Sequence, residues 1–591
     1  MLGSLIVILL VIYGSYLALS FCRLRDRAYK TKLPCISFPI SGLNLFFLAL
    51  FETRMVPYLV NACFSSSLVD HINNNVFKYR WTVKDRFCKR YGGVYMHVTP
   101  TTLTCMVSDA TVAYQICTSR RSFTKPLHLY ESIAIYGPNV ITLEGSQWAH
   151  HRRCTAMTFN EKNNALVWEE SIRQTTEMVQ HWIQQHSQNP HEFVLTDARE
   201  DILKLTLNII CSVAYGVKLP FKPIQRITAD STGGLFRDAT TPPPGYHFTF
   251  RSVMEYMNKN LITVFMANSF LPKWLSRAAK PYFKKDFDAF YDLHQYLQAL
   301  VSIAETKKPH DHNLLEGLLD SRRTGEHHVR YNQGLSDSEI LGNLYIFMIA
   351  GHETTATTLR FALVLLALHQ DAQDYLYDGI RQATYDEPAS PSEWDYSSVY
   401  PKLVSPLCVM LETLRMFPPV VSVPKWTGET PVDIIYNNQS YLLPPGVLVS
   451  LNLGGMHYSE EYWGPNAGVF DPKRWDKQNK ESFLAQNDGI EGLFGPGLEY
   501  DTIHRPVRGS FLPFSDGSRA CMGKKFAQVE IVIALTTIFR EYRVELAKVI
   551  EHETHEDMCQ RAEKVLQESL AFLTLSMRDE VPLLFRKRSS D

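Results

Sequence analysis

The sequence has almost no net charge: 60 lysines and arginines against 61 aspartates and glutamates leave −1. It therefore lacks the basic footprint that a nucleic-acid partner would require. Its eleven cysteines include no CxxC pair and no framework spacing, which excludes zinc-ribbon sites and a disulfide-stapled scaffold. No internal repeat is present, and no flavin- or nucleotide-binding segment is evident. Charge is also missing from one particular place. The run Leu2 to Cys22 (LGSLIVILLVIYGSYLALSFC) carries none, and then Arg23, Arg25, Arg27, Lys30 and Lys32 arrive together.

About 20 apolar residues suffice to span a bilayer as a helix, and a basic cluster on the C-terminal side predicts that the rest of the chain stays in the cytosol. The alternative is a cleaved signal peptide, which wants basic residues before the apolar run and a small-residue cleavage site after it. Neither is clear here. The expected organisation is an anchor over 1–22, a basic linker and membrane-proximal segment over 23–65, and one folded domain over 66–591. The second apolar patch, LNLFFLALF (Leu43–Phe51), is too short to span and reads as a core or membrane-surface helix. In a cytosolic body most of the cysteines are expected to be small buried hydrophobes. The sequon Asn438-Gln439-Ser440 would face the cytosol and carry no glycan.

What is present is a globular composition, with 45% hydrophobic, 12% aromatic and 20% charged residues. Residues 34–140 mix short strand-like runs (GGVYMHV, TTLTCMV) with helical stretches. From about Gly145 to Ile380 the periodicity is helical, broken by the loop TTPPPGYH (Thr240–His247). VDIIYNNQSYLL reads as a hairpin turning at Asn437-Asn438. A long irregular stretch covers roughly Asp476–Ser510, and LAFLTLSM with VPLLFRKR reads as a final strand pair. The fold class expected is mainly α with small β-sheets.

The stretch FLPFSDGSRACMGKKFAQVE (511–530) sets Cys521 apart. Gly517 and Gly523 allow tight turns and close approach of a flat ligand, since neither has a Cβ. Downstream, Met522, Phe526, Val529 and Ile533 recur at helical spacing. Cys521 thus lies just before a helix N-terminus, where free N–H groups and the macrodipole favour a thiolate. Such a thiolate serves as a metal ligand or a nucleophile, and Arg519 stands ready to pair with an anionic group. The bland alternative is a buried structural cysteine. A second segment, Ser336–His369, opens with Ser336 and Glu339 in capping-box spacing. Ala350-Gly351-His352-Glu353-Thr354-Thr355 then places polar residues and a glycine inside a long apolar helix. A threonine hydroxyl at 354 can bond back to the carbonyl of Ala350 and bend the helix. A buried glutamate beside it can relay protons.

The spacing Phe514-x-x-Gly517-x-Arg519-x-Cys521-x-Gly523 resembles the haem-binding signature of the cytochrome P450 family at every defining position. Ala350 to Thr355 is similar to that family's dioxygen-binding motif. Glu412-x-x-Arg415, followed by Phe470-Asp471-Pro472-Lys473-Arg474-Trp475, resembles its Glu–Arg–Arg structural triad. Trp148 and Arg152 in GSQWAHHRR match its W-x-x-x-R pair. One departure is Lys425, where many relatives carry an arginine; lysine offers a point charge rather than a planar fork. Fungal microsomal members are the most similar in texture.

The resemblance implies a P450 fold behind a single N-terminal transmembrane helix in the endoplasmic reticulum membrane. It implies haem b (iron protoporphyrin IX) with Cys521 as the axial thiolate. Phe514, Gly517, Arg519, Gly523, Trp148 and Arg152 would be haem-binding, and Glu353 and Thr354 catalytic. It also implies a monooxygenase that inserts one atom of dioxygen, by hydroxylation, epoxidation or multi-step oxidation, into a hydrophobic small molecule such as a terpenoid, polyketide or fatty-acid-like secondary metabolite. Electrons would come from NADPH through a separate cytochrome P450 reductase, with cytochrome b5 as a further donor. Two alternatives stay open: a haem-thiolate isomerase or dehydratase that needs no reductase, and a non-catalytic membrane haem protein.

Overall fold

The computed structural model describes residues 2–42, 51, 55–156, 158–186, 189, 191–222, 234–269, 281–306, 313–324, 334–475, 503–571 and 573–588. Most of the patch LNLFFLALF and of the irregular stretch after Trp475 lies outside the described residues. The principal helices, in chain order, are α1 (Leu2–Lys30), α2 (Gly145–Ala156), α3 (Glu161–His186), α4 (Arg199–Tyr215), α5 (Phe250–Ser269) and α6 (Lys284–Thr306). They continue with α7 (Asp337–Leu368), α8 (Val404–Met416), α9 (Leu453–His457) and α10 (Lys524–Glu541). The chain forms two compact units. One comprises Met1–Pro126, Leu411–Cys521 and Glu563–Asp579; the other comprises Leu127–Met410, Met522–Ala562 and Glu580–Asp591.

The first unit is built on a five-stranded sheet of order β1-β2-β3-β8-β5. Its strands are β1 (Cys35–Ser37), β2 (Val94–Val98), β3 (Leu103–Val107), β5 (Ser422–Trp426) and β8 (Leu448–Asn452). The strand-like runs GGVYMHV and TTLTCMV are β2 and β3, paired antiparallel. Strands β6 (Val432–Tyr436) and β7 (Gln439–Leu443) form the expected hairpin. Its turn residues Asn437 and Asn438 both take positive φ, 50° and 59°, the backbone that a two-residue hairpin turn demands and asparagine tolerates.

The apolar N-terminal run is helical, long and apolar enough to cross a bilayer. The helix does not stop at Cys22. The basic segment forms its last turns, because Ala28 is fully buried against the sheet core, with Phe21 and Leu24 packed beside it. Arg27 donates to the carbonyl of Pro445. Apolar residues at 21, 24 and 28 lie on one helical face, so tertiary packing extends the helix through residues that sequence alone marks as linker.

The second unit is helical, with one sheet of order β4-β12-β9: β4 (Glu192–Leu195), β9 (Tyr542–Leu546) and β12 (Leu583–Lys587). The expected final pairing of LAFLTLSM with VPLLFRKR does not form. LAFLTLSM supplies the short ladder β10 (Leu570–Ala571) with β11 (Leu575–Ser576), which belongs to the first unit. VPLLFRKR instead supplies β12, which pairs antiparallel with both β4 and β9. Stacked Phe193 and Phe585 rings, 4.9 Å apart, show what that long-range pairing buries.

The long helix α7 begins at the predicted cap. Ser336 accepts from the Glu339 amide, and Glu339 accepts from the Ser336 amide at 2.8 Å. It is buried on most of its circumference, as expected of a helix apolar all round. The glycine in its middle serves packing: a Cβ on Gly351 would meet Ile210 Cδ1 of α4 at 2.3 Å.

Three buried histidines and the half-buried His504 are held neutral. Desolvation lowers His97 and His457 to about 3, and His352 and His504 to about 4. The unfolded chain protonates them near 6.5, so it binds more protons than the folded chain below that pH. Their contribution to stability is complete above pH 6.5 and is lost as pH falls toward 4. Burial acts oppositely on Glu530, raised well above the ordinary carboxyl range, and on Glu580, raised to about 7. Four groups outweigh two. Between pH 6.5 and 5 the thermal midpoint is expected to fall, with the net slope near ~2 kcal/mol per pH unit. A flat or rising midpoint across that interval in a thermal scan would contradict the burial of these rings.

Candidate active site

Cys521 ends a loop that closes on itself. Its amide donates to the carbonyl of Phe514 at 2.9 Å, the Ser515 amide to Leu512 at 3.0 Å, and the Ala520 amide to Gly517 at 3.1 Å. The Asp516 carboxylate accepts from the Gly517 amide at 2.6 Å. Gly517 sits at φ 68°, where a Cβ would lie 2.4 Å from the Cys117 carbonyl oxygen. No larger residue fits that turn. Gly523, expected to be a second tight turn, has φ −82°, a backbone open to any residue. Ser515 adopts φ 58°, a left-handed backbone that costs a non-glycine residue about 1–3 kcal/mol and concentrates at functional sites.

Three residues after the thiol, α10 begins at Lys524. Cys521 thus precedes an 18-residue helix in the chain, and it is exposed. Other thiols are held protonated by burial: Cys88 and Cys117 are pushed up to about 11, and Cys105 to about 12. The bland reading of Cys521 as a buried structural residue does not describe this position.

Behind the loop lies a saturated ionic network. Glu412 on α8 is fully buried and accepts from Arg415 Nε and Nη2, both at 2.8 Å, and from Arg474 Nε at 2.8 Å. It also accepts from the Asp471 amide at 3.0 Å and from Trp475 Nε1 at 3.0 Å. Arg415 in turn donates to the carbonyls of His457 and Ala467 at 2.6 and 2.7 Å. The expected triad is assembled; Trp475 is an additional member that the sequence did not mark.

In the second unit, Trp148 (buried) and Arg152 (half-buried) stand one turn apart on α2. His151, between them in sequence, joins that helix to α7. Its Nε2 is 3.1 Å from Glu339 Oε1, and its Nδ1 is 2.9 Å from Asn343 Nδ2. Thr155 of α2 also donates to the sulfur of Met522 at 3.6 Å, the residue next to Cys521 in the chain. On α7, Thr354 Oγ1 donates to the Ala350 carbonyl at 2.8 Å, the back-bond expected from the sequence. Thr355 does the same to Gly351 at 3.0 Å, and the His352 ring lies 2.7 Å from the Met348 carbonyl. Glu353 and Thr354 are half-buried and His352 is packed. The helix continues unbroken through this polar turn.

Cys521, Phe514, Gly517 and Arg519 thus share one loop of the first unit. Trp148, Arg152, Glu353, Thr354 and Gly523 belong to the second, where His151 links α2 to α7. A model of the cytochrome P450 family matches residues 71–572. The chain belongs to the cytochrome P450 family.

Relatives at moderate identity span nearly the whole chain. A cytochrome P450 monooxygenase of Arthrobotrys oligospora is 30% identical, covering 92% of each chain. The monooxygenase ORF6 of Penicillium roqueforti is 28% identical over 93% of this chain and 94% of its own. A phomenoic acid biosynthesis cluster cytochrome P450 monooxygenase of Leptosphaeria maculans is 24% identical over 76% and 75%. The family fold is helix-rich with small sheets, the architecture found in this chain. P450 membership implies a haem-thiolate cofactor and a redox partner. The residues of the Cys521 loop fit that cofactor: the cysteine is exposed, the turn at Gly517 has no room for a side chain, and Arg519 precedes the thiol by two residues.

Proposed function

We propose that this P450 is a membrane-anchored monooxygenase that oxidises a hydrophobic secondary metabolite. Its net reaction combines substrate, dioxygen, two electrons and two protons to give hydroxylated or epoxidised product and water. The exposed Cys521 at the start of α10 carries this reading. A thiolate-ligated haem supplies the capacity to cleave dioxygen. Phe514, Gly517 and Gly523 would shape its seat, and Arg519, Trp148 and Arg152 would pair with its propionates. Glu353 and Thr354 hold and pass protons at the carboxyl and hydroxyl oxygens.

The apolar part of α1 spans the endoplasmic reticulum membrane with the body in the cytosol. The proposed division is an anchor at 1–22, a membrane-proximal segment at 23–65, and the catalytic domain at 66–591. By the family resemblance, segments 127–140, 345–350, 420–423 and 571–577 would correspond to those that border the substrate. Their aliphatic and aromatic content suits a molecule that partitions into lipid. The cluster membership in the name of the Leptosphaeria relative supports a tailoring role in secondary metabolism.

NADPH–cytochrome P450 reductase, with cytochrome b5 as a further donor, supplies the electrons. Incubation with reductase, NADPH and isotopically labelled dioxygen tests the reaction class: one labelled atom in the product is expected. Product formed from a peroxide substrate without reductase would favour the isomerase or dehydratase alternative. Lys524 and Lys525, beside Cys521 in the chain, form part of a basic docking surface for an acidic reductase; Lys525 also lies over the Tyr400 ring at 4.6 Å. Lys524→Glu is expected to lower reductase-driven turnover severalfold through slower association and to spare peroxide-driven turnover. Equal loss in both assays would contradict docking there.

A further inference from the structure

We propose that His457 is a positioning residue for Cys521, a rigid neutral bridge that hangs the cysteine loop from the Glu412–Arg415 network. The proposal rests on the reading of Cys521 as haem ligand. His457 closes the short helix α9 and is fully buried. Its Nδ1 lies 2.9 Å from the backbone carbonyl of Arg415, which can only accept, so Nδ1 carries the proton. Its Nε2 lies 3.2 Å from the backbone amide of Leu512, which can only donate, so Nε2 carries none. Both neighbours are main chain and neither can exchange roles. The ring is thereby confined to one tautomer and one orientation, and burial keeps it neutral, with its pKa lowered to about 3.

On one side of the ring is Arg415, gripped by Glu412 at 2.8 Å and itself donating to the His457 carbonyl at 2.6 Å. On the other side is Leu512, where the loop begins. The Leu512 carbonyl accepts from Ser515 at 3.0 Å, and the Phe514 carbonyl accepts from Cys521 at 2.9 Å. A short chain of main-chain bonds thus runs from the ring toward the thiol. Phe511 packs against the same ring, centroids 5.4 Å apart, and against Trp475 at 4.8 Å, so the loop entrance is held from two directions. A neutral aromatic without the two nitrogens would fill the volume and leave the Leu512 amide unsatisfied.

The test compares wild-type holoprotein with His457→Phe by three readouts: thermal midpoint with haem content, amide exchange of the peptide containing Leu512, and the reduced, carbon-monoxide-bound spectrum over time. In the variant, at matched haem content, the thiolate-type band is expected to convert to the neutral-ligand type about tenfold faster or more, the scale of losing one buried hydrogen bond. Exchange at Leu512 is expected to rise with it. A lowered midpoint with wild-type conversion rate and exchange would mean a merely structural role and overturn the proposal. If the variant fails to fold, wild type carries the test. On warming, loss of Leu512 protection is expected to accompany loss of the thiolate band; protection that outlasts the band would overturn it. Wild-type protein that never shows a thiolate band would instead refute the assignment of Cys521 itself.

Discussion

Glu412→Ala is expected to give protein that folds poorly and retains little haem. The carboxylate accepts five hydrogen bonds, from Arg415 Nε and Nη2, Arg474 Nε, Trp475 Nε1 and the Asp471 amide. Arg415 is fully buried and would keep its charge with only carbonyls to receive it. Breaking a buried ion pair by deleting one partner costs about 3–5 kcal/mol, against a total stability of about 5–15 kcal/mol for a typical domain. The loss is therefore a large share of what holds the chain folded. It also removes the anchor from which His457 and the loop at Leu512 hang. Urea unfolding of Glu412→Ala and Glu412→Gln checks this. The glutamine variant keeps the volume and one acceptor oxygen and is expected to fall between alanine and wild type. An alanine variant within about 1 kcal/mol of wild type would show that the network is dispensable, as exposed pairs commonly are.

Thr354→Ala is expected to divide electron consumption from product formation. The Thr354 hydroxyl is back-bonded to Ala350 at 2.8 Å and flanked by Glu353. Removing it leaves the backbone, and the packing of Gly351 on Ile210, unchanged. NADPH oxidation should continue while product per NADPH falls, with the balance released as hydrogen peroxide. Positioned proton donors contribute about 10²–10⁴-fold to a rate, so product formation should drop by at least tenfold. Thr354→Ser retains the hydroxyl and should recover most of it. Unchanged coupling in the alanine variant would remove Thr354 from the catalytic set and leave Glu353 to act alone.

Local chemistry is the legible part of the sequence. The Ser336–Glu339 cap, the Asn437-Asn438 turn and the Thr354 back-bond each involve residues four or fewer apart, and each stands as expected. The spacing from Phe514 to Gly523 carries the family, and Glu412 with Arg415 carries the triad once Arg474 is seen downstream. What stays hidden depends on partners far along the chain. His457 acquires meaning only from Arg415 and Leu512, 42 and 55 residues away. His151 looks like part of a basic run until Glu339 and Asn343 are placed beside it. The C-terminal strand is recognisable as a strand, but its alternation fits any half-buried ladder, and its partner β4 lies nearly 400 residues earlier. The basic residues after Cys22 read as a linker because their charge masks the apolar stripe through Phe21, Leu24 and Ala28. Gly351 reads as loosening a helix, whereas it lets α4 approach.

The most direct measurement is the difference spectrum of the reduced, carbon-monoxide-bound protein, recorded beside Cys521→Ala. A strongly red-shifted Soret band in wild type, absent from the variant, is the expected result and establishes thiolate ligation by Cys521. A band of the neutral-ligand type in properly folded wild type, or a red-shifted band that survives the substitution, would contradict it.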